Sequence, residues 1–199
     1  MKIAVLLFAY NRPKYLKKVI KTHKKIPGLS YYAFIDKSDK QKEIIEIIHN
    51  SGIYDIIIPR QEHLGAEVNI LSGIDFVDCD AVIALEDDLM LMPDTLEYLI
   101  EQLKAYEHNT RIAAVASQKG TSPRQEGWGW AWGTWKKKWD VKFDGRTWDT
   151  SAVDYFKSYG LYAVFSPIKR VKHIGNKGTH FNYFSRFGIR RHLRRWGLL

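Results

Sequence analysis

Short apolar runs alternate with amphipathic segments along the first 117 residues of the chain. Each apolar run has the length and composition of a buried strand, and the amphipathic segments repeat apolar residues at helical spacing. Strands are predicted over residues 2–9, 31–35, 53–58, 81–85 and 111–117, and helices over residues 13–26, 40–50, 66–76 and 93–107. Strict alternation of strand and helix predicts an α/β fold, with a mainly parallel central sheet flanked by helices on both faces.

The pattern changes after residue 117, where residues 118–127 are polar and contain two glycines and a proline. This composition predicts a loop. Five of the seven tryptophans follow within twelve residues, from Trp128 to Trp139. Some of these rings are expected to form a second small core, and others suit a surface that stacks on sugar or nucleobase faces. A further helix is predicted to include residues 154–159, and a strand to follow over residues 161–165.

Three adjacent carboxylates, Glu86, Asp87 and Asp88, end the fourth predicted strand, and we call them the acidic triplet. Adjacent carboxylates repel one another, so a positive partner is expected beside them. A divalent cation that bridges to a phosphate is the simplest such partner, and oxygen ligands favour Mg²⁺ or Mn²⁺. The alternative interpretation is an acidic strand-to-helix turn, in which Asp94 complements the dipole of the next helix.

Polar side chains also follow the other predicted strands at the points where those strands end. Asn11 and Arg12 follow the first strand, and Asp36 follows the second. In open sheets of this class, ligands bind beyond the carboxyl ends of the strands. Residues 11–12, Asp36 and the acidic triplet are therefore expected to gather along one edge of the sheet.

The composition restricts the class of protein. A chain of 199 residues with 45% apolar and 27% charged residues suits one soluble domain. Cys79 is the only cysteine, which excludes a disulfide framework within the chain and a zinc site built from several cysteines. Cysteine usage does not indicate an oxidising compartment, and a cytoplasmic location is expected. No stretch approaches the roughly 18 apolar residues that a spanning helix needs.

The net charge of +9 favours anionic partners such as nucleotides, nucleic acid or an anionic membrane surface. Five arginines and no carboxylate lie between Arg186 and the last residue. This basic, partly apolar tail suits peripheral contact with the inner face of a membrane, or a solvated helix docked on the domain. A nucleic-acid-binding module would explain the charge, but it would not explain the acidic triplet.

The ordered set of motifs resembles glycosyltransferases of the GT-A fold. It is similar to N-acetylglucosaminyltransferase I and to family 2-like sugar transferases of bacteria and archaea. The resemblance implies a Rossmann-like sheet whose carboxyl edge binds a nucleotide-sugar, with Mn²⁺ or Mg²⁺ held by a DxD-type motif. The motifs that carry it lie at residues 8–13, 35–36, 86–88, 130–136, 148–149 and 174–180.

The same resemblance implies roles for individual residues on the donor side. Asp88 is expected to bind the metal directly, with Asp87 and Glu86 on the ribose or on the water shell of the metal. Asp36 is expected to hold the uridine. The remaining residues expected to bind the donor are Ala9, Tyr10, Asn11, Arg12, Gly65 and, at the diphosphate, Lys177. His180 is expected to be a second metal ligand or a phosphate contact.

On the acceptor side, the resemblance implies that Asp149 deprotonates an acceptor hydroxyl, which inverts the anomeric carbon. Asp140 and Asp144 are alternatives for this base. The expected reaction transfers a hexosyl or N-acetylhexosaminyl group from a UDP-sugar to a glycan or lipid-linked acceptor. We expect one domain, divided into a nucleotide-sugar-binding half (1–117), an acceptor half (118–182) and the basic tail (183–199).

Two other functions remain open at this point. A sugar nucleotidyltransferase also uses a parallel sheet and metal-binding carboxylates, but it would carry a glycine-rich phosphate loop after the first strand. Residues 10–13, Tyr-Asn-Arg-Pro, are not such a loop. A glycan- or nucleic-acid-binding module without catalysis is the other alternative.

Overall fold

The computed structural model describes residues 1–120, 124–125, 130–139 and 148–175. Strands and helices alternate through most of this part of the chain. The strands are β1 (Ile3–Ala9), β2 (Ser30–Ile35), β3 (Ile56–Pro59), β4 (Ala81–Glu86), β5 (Leu89–Leu91), β6 (Ile112–Lys119), β7 (Arg124–Gln125), β8 (Trp132–Trp135), β9 (Tyr162–Ser166) and β10 (Val171–His173). The helices are α1 (Pro13–Val19), α2 (Gln41–Ser51), α3 (Gly65–Phe76), α4 (Thr95–Ala105) and α5 (Trp148–Ser158).

The predicted α/β fold with a mainly parallel sheet is confirmed. In the part of the chain that the structure describes, eight strands form one sheet in the order β3-β2-β1-β4-β8-β6-β9-β7. Strands β3, β2, β1 and β4 run parallel to one another, and β6 runs parallel to β9. Strand β8 is antiparallel to both β4 and β6, so it joins the two parallel parts.

Both faces of the sheet are covered, which explains why β1 is an unbroken apolar run. All seven residues of β1 are buried. Val5 and Leu7 belong to the core beneath α1, α2 and α4, whereas Leu6 and Phe8 belong to the core beneath α3. Since successive side chains of a strand point to opposite faces, one strand supplies both cores.

Helix α1 is shorter than predicted. It ends at Val19 and passes into a 3-10 turn over Ile20–Thr22, after which His23 is extended. The hydroxyl of Thr22 donates to the carbonyl of Val19 at 2.7 Å and accepts the backbone N–H of Leu91 at 3.0 Å. This contact with β5 depends on tertiary packing, so helical spacing alone extended the prediction too far. Strand β3 likewise begins at Ile56, three residues later than predicted.

Three strands inside or beside the site were not predicted, namely β5, β8 and β10. Strand β8 buries Trp132 and Trp135, at 2% and 1% exposure. A side chain at Gly133 would lie 3.0 Å from Leu103 and 3.1 Å from the carbonyl of Val82, so a larger residue here would require its neighbours to move by a few tenths of an ångström. The two rings are buried, but they belong to the main cores on the two faces of the sheet and not to the separate small core that was predicted. Sugar stacking by the other rings stays a prediction.

No helix within the described ranges is long and apolar enough to cross a membrane.

Candidate functional site

The carboxyl ends of β1, β2 and β4 meet at one edge of the sheet, as the sequence predicts. In the parallel register Phe8 lies opposite Glu86, and Ala9 lies opposite Ile35. The backbone ladder continues past the strand ends. The N–H of Asp36 donates to the carbonyl of Ala9 at 2.9 Å, and the N–H of Asp87 donates to the carbonyl of Phe8 at 3.1 Å.

Arg12 is the positive partner of the acidic triplet within the chain. One nitrogen of its guanidinium donates to Asp87, and the other donates to Asp88. Asp87 also accepts the backbone N–H of Tyr10 at 3.1 Å. The side chains of Asp87 and Asp88 are only 1% and 5% exposed, whereas that of Arg12 is 23% exposed. The guanidinium therefore offsets the charge of two buried carboxylates and still reaches the surface of the site.

Strand β10 brings a second group of residues to Asp88. It pairs with β5 in antiparallel register, which places His173 opposite Leu89. His173 Nε2 lies 3.2 Å from Asp88 Oδ2, and the N–H of Ile174 donates to the carbonyl of Asp88 at 2.9 Å. Gly175 is so close that a Cβ there would lie 2.1 Å from Asp88 Oδ2. Residues 173–175 thus close over the end of the acidic triplet.

The charges of this group are strongly coupled. Burial and the neighbouring carboxylates Asp88 and Asp87 raise the pKa of Glu86 to about 7, against the opposing charge of Arg12. Burial also raises the pKa of Asp87, although Arg12 and the N–H of Tyr10 act in the other direction. Glu86 is therefore the member of the triplet whose charge changes near neutral pH.

Asp88 behaves differently from its two neighbours. Burial acts to raise its pKa, but the hydrogen bond with His173 and the charge of Arg12 outweigh burial and lower it. In turn, the hydrogen bond with Asp88 raises the pKa of His173. Asp88 is therefore the member of the triplet that is held ionised.

The residues around Asp88 fit a divalent cation. Asp88 Oδ1 is buried and has no hydrogen-bond partner among the described residues. A buried carboxylate oxygen without a donor is costly unless a cation or water binds it. Within the described ranges, no three His, Cys, Asp or Glu side chains form a complete metal-holding group. Mg²⁺ and Mn²⁺ commonly take only one or two protein carboxylates, with phosphate oxygens and water in their remaining positions.

At the other end of the edge, Asp36 organises the loop between β3 and α3. Its carboxylate is buried and accepts the backbone N–H groups of Lys37, Leu64 and Gly65 at 2.8 to 2.9 Å. It also contacts Nδ1 of His63 at 2.9 Å. Gly65 has φ of +79°, a conformation that favours glycine. This explains why a glycine begins α3 at this position.

Aromatic contacts join the two ends of the site. The ring of His63 stacks on Tyr10 with centroids 4.7 Å apart, and the backbone of Tyr10 binds Asp87. At the far end, Trp130 stacks on His173 with centroids 5.0 Å apart and remains 41% exposed. From Asp36 to Trp130, the site is one connected row of side chains along the edge of the sheet.

The structure brings some of the predicted site residues together, and others lie outside the part that it describes. The row contains Tyr10, Arg12, Asp36 and the acidic triplet, with buried Ala9, half-buried Asn11 and Gly65 beside it. Asp149 lies in the first turn of α5, but its side chain is outside the described part. Two further predicted site residues and both alternative bases also lie outside the described residues. The predicted residues that lie entirely outside are Asp140, Asp144, Lys177 and His180.

Sequence reasoning missed His63 and His173 as members of the row. His173 carries no spacing motif, and its approach to Asp88 depends on the pairing of β10 with β5, two strands that were not predicted. For His63 a weak signal existed, because it follows a strand end just before Gly65. A loop at the carboxyl end of a parallel strand faces the ligand edge, and this position could have nominated it.

Solved structures of low sequence identity share this fold. A mannosyltransferase from Pyrobaculum calidifontis, solved with GDP-mannose and Mn²⁺, has a TM-score of 0.68 at 12% identity over 90% of this chain. The match covers 59% of that enzyme, so this chain spans less than two thirds of its length. Glucosyl-3-phosphoglycerate synthase from Mycobacterium tuberculosis, solved with Mn²⁺, UDP and glucosyl-3-phosphoglycerate, has a TM-score of 0.68 at 15% identity. That match covers all of this chain and 81% of the synthase.

At these identities, the two structures establish the fold and not the substrate. A search of curated protein sequences finds no significant match. A family model described as glycosyl transferase family 2 matches residues 4–195, which is nearly the whole chain. The matched range includes the acidic triplet, Trp130 and strand β10, which carries His173. The chain therefore belongs to glycosyl transferase family 2.

Proposed function

We propose that this protein transfers a sugar from a nucleotide-sugar to an acceptor hydroxyl with the help of Mn²⁺ or Mg²⁺. The observation that carries the proposal is the buried Oδ1 of Asp88, which lies beside Arg12 and His173 and has no hydrogen-bond partner in the described part of the chain. An ionised oxygen without a donor, at the carboxyl edge of a parallel sheet, suits a metal-bound diphosphate. The donor is proposed to be a UDP-sugar, carrying a hexosyl or N-acetylhexosaminyl group.

Neighbouring residues on the donor side of the site have different proposed roles. Asp88 is proposed to bind the metal, with His173 or His180 as a second ligand or a phosphate contact. Asp87 and Glu86 hold the ribose or the water shell of the metal. A bound divalent cation would supply Lewis-acid stabilisation of the leaving diphosphate.

Positively charged side chains of the protein are proposed to stabilise the same leaving diphosphate. Departure of a nucleoside diphosphate builds negative charge on the phosphate oxygens, and fixed positive groups stabilise that charge. Arg12 is 23% exposed and faces the site from the triplet, so it can approach a phosphate without leaving Asp87. Lys177, two residues after Gly175 in the chain, is proposed to contribute a second positive charge.

On the acceptor side, we propose that Asp149 accepts the proton of the attacking hydroxyl and that the reaction inverts the anomeric carbon. Asp140 and Asp144 remain alternative bases. The exposed ring of Trp130, next to His173, suits stacking against a sugar. Residues 1–117 are proposed as the donor half and residues 118–182 as the acceptor half. The basic residues 183–199 are proposed to contact a membrane that carries a lipid-linked acceptor.

The proposal can be tested by following the release of nucleoside diphosphate from UDP-glucose, UDP-N-acetylglucosamine and GDP-mannose, with and without Mn²⁺. Water serves as the acceptor, so the assay needs no knowledge of the natural one. We expect metal-dependent release with at least one donor, and its loss in Asp88→Asn. Asp149→Asn is expected to slow release about 10²- to 10⁴-fold. The control is Glu46→Gln, an exposed carboxylate on α2.

Two results would count against this function. Release that does not respond to Mn²⁺ or to Asp88→Asn would remove the acidic triplet from the chemistry. If no donor is turned over and no nucleotide binds, the chain does not act as a nucleotide-sugar transferase.

A further inference from the structure

Groups of the same chain occupy all the hydrogen-bond acceptor positions of the Asp36 carboxylate. A carboxylate has about four acceptor positions, two on each oxygen. Here Oδ1 accepts from the N–H groups of Leu64 and Lys37, and Oδ2 accepts from the N–H of Gly65 and contacts His63 Nδ1 at 2.9 Å. With the side chain 3% exposed, no acceptor position is left for a ligand. A nucleobase could bond to this carboxylate only by displacing the loop.

The contact with Asp36 sets the hydrogen-bonding character of His63. A carboxylate accepts a hydrogen bond, so Nδ1 of the imidazole carries the proton. In the neutral ring Nε2 is then an acceptor with a free lone pair. The side chain of His63 is 56% exposed, so this acceptor is accessible to a ligand.

His63 also has a fixed place in the row of site residues. Its ring stacks on Tyr10 with an interplanar angle of 22°, and the N–H of Tyr10 binds Asp87 of the acidic triplet. One ring is therefore held by two independent contacts, a hydrogen bond at its edge and a stack on its face. A side chain restrained in this way can present one acceptor in a defined direction.

From this geometry we infer that His63 reads the nucleobase of the donor, and that Asp36 acts through His63 as a positioning residue. The inference rests on the proposed function, because it assumes that a nucleotide occupies this edge. Nε2 accepts the ring N–H that uracil and guanine carry on their Watson–Crick edges. Cytosine and adenine present a lone pair at the corresponding ring nitrogen, which meets the lone pair of Nε2. The site therefore favours a base with a ring N–H over its counterpart of the same size.

The test compares matched nucleotide pairs by calorimetry in the presence of Mn²⁺, with UDP against CDP and GDP against ADP. In the wild type, whichever pair binds more tightly should favour its ring N–H member by about tenfold, the value of one net hydrogen bond. His63→Phe keeps a ring against Tyr10 but removes both nitrogens, and His63→Ala removes the ring as well. Both variants should bring the ratio close to one. Glu62→Gln, an exposed neighbour in the same loop, should leave the ratio unchanged.

The outcomes separate this inference from the proposed function. If no nucleotide binds, the proposed function fails and the inference fails with it. If nucleotides bind but the wild type shows no preference within either pair, only the role of His63 is overturned. The same holds if the preference survives in His63→Phe. A His63→Ala variant that weakens all four nucleotides equally would place His63 on the ribose or diphosphate, which also overturns base reading.

Discussion

At the scale of single residues, the arrangement of the site follows from the need to compensate buried charges. Asp87 and Asp88 are almost completely buried, and one guanidinium, that of Arg12, contacts both. Besides Arg12, His173 is a second side chain that lies within hydrogen-bond distance of Asp88. Among the described residues, none donates to Oδ1 of Asp88, so the charge at that atom is not fully compensated there. A ligand that supplies positive charge at that atom completes the compensation.

Gly175→Ala tests how closely the closing segment must approach Asp88. The added Cβ would lie 2.1 Å from Asp88 Oδ2 and 3.0 Å from His173 Nε2, so the segment or the carboxylate must move. We expect a loss of about 1 to 3 kcal/mol in unfolding free energy and weaker Mn²⁺-dependent nucleotide binding. Chemical unfolding and calorimetry measure the two effects. Lys172→Ala, at an exposed position of the same segment, should change neither.

Arg12→Gln tests the internal counter-charge of the acidic triplet. Removing one partner of a buried ion pair leaves the carboxylates uncompensated, and we expect a loss of about 3 kcal/mol of stability. Mn²⁺ should restore more stability to this variant than it adds to the wild type, since it supplies the missing charge. Lys17→Gln breaks an exposed pair with Glu43, and it should cost less than about 1 kcal/mol. Equal costs for the two variants would contradict a compensating role for Arg12.

Much of the site could be predicted at the residue scale, because it follows from where strands end. Arg12, Asp36 and the acidic triplet lie at the carboxyl ends of parallel strands, so their convergence needs only the alternation of elements. Asp36 was expected to face the nucleotide, and its four partners from its own chain could not be anticipated. Three of them, His63, Leu64 and Gly65, depend on the path of the loop after β3, which the hydrophobic pattern does not determine.

At the scale of elements, the predictable strands are those whose apolar runs are buried on both faces, as β1 and β4 are. Strand β8 was missed because the sequence Trp-Gly-Thr-Trp has no long apolar run, and its place between β4 and β6 is decided by packing. Strands β5 and β10 have three residues each, and each is stabilised by pairing with the other. Strands this short leave too few residues for a periodic signal.

The division of the tryptophans between core and surface can be tested with a matched pair in one segment. Trp135 is 1% exposed, and its Nε1 donates to the carbonyl of Leu103 at 3.2 Å. Trp135→Ala should lower the unfolding free energy by about 3 to 5 kcal/mol. Trp130→Ala, at 41% exposure, should cost less than about 1 kcal/mol. Similar costs for the two substitutions would show that β8 is not part of the core.

His23, where the 3-10 turn after α1 ends, predicts a pH dependence of stability. Burial lowers the pKa of His23 to about 4, and Nδ1 lies 2.8 Å from the hydroxyl of Tyr54. An unfolded histidine has a pKa of about 6.5, so the unfolded state gains a proton first as pH falls. Stability is therefore complete above pH 6.5, and about 3 kcal/mol is lost by pH 4.

Chemical unfolding between pH 7 and pH 4 measures this contribution. His23→Phe removes this titrating group, so the loss of about 3 kcal/mol that His23 causes between pH 6.5 and pH 4 should disappear. Glu86, whose pKa is raised to about 7, titrates in both proteins, so its contribution cancels in the comparison. His49→Gln, on the exposed side of α2, should leave the profile unchanged. An unaltered profile in His23→Phe would mean that other groups cause the acid sensitivity.

At the scale of the whole molecule, a parallel half and a mixed half share one continuous sheet. The residues predicted to bind the nucleotide-sugar lie at the ends of strands in the parallel half, which consists of β3, β2, β1 and β4. Strand β10 comes from the other half of the chain and pairs with β5 at the same edge. This arrangement lets a late residue such as His173 contact Asp88, just after the end of β4. The family and the fold are established, whereas the sugar, the acceptor and the contact with a membrane are proposals.

The most direct test of the central claim is thermal unfolding of the wild type and Asp88→Asn with UDP or GDP, each with and without Mn²⁺. A ligand at about a hundred times its Kd stabilises the folded state by about 2.7 kcal/mol, which is a rise of about 5 to 10 °C for a chain of this size. We predict this rise only when one nucleoside diphosphate and Mn²⁺ are present together, and its loss in Asp88→Asn. An equal rise in both proteins, or no metal-dependent rise with either nucleotide, would contradict a metal-bound diphosphate at the acidic triplet.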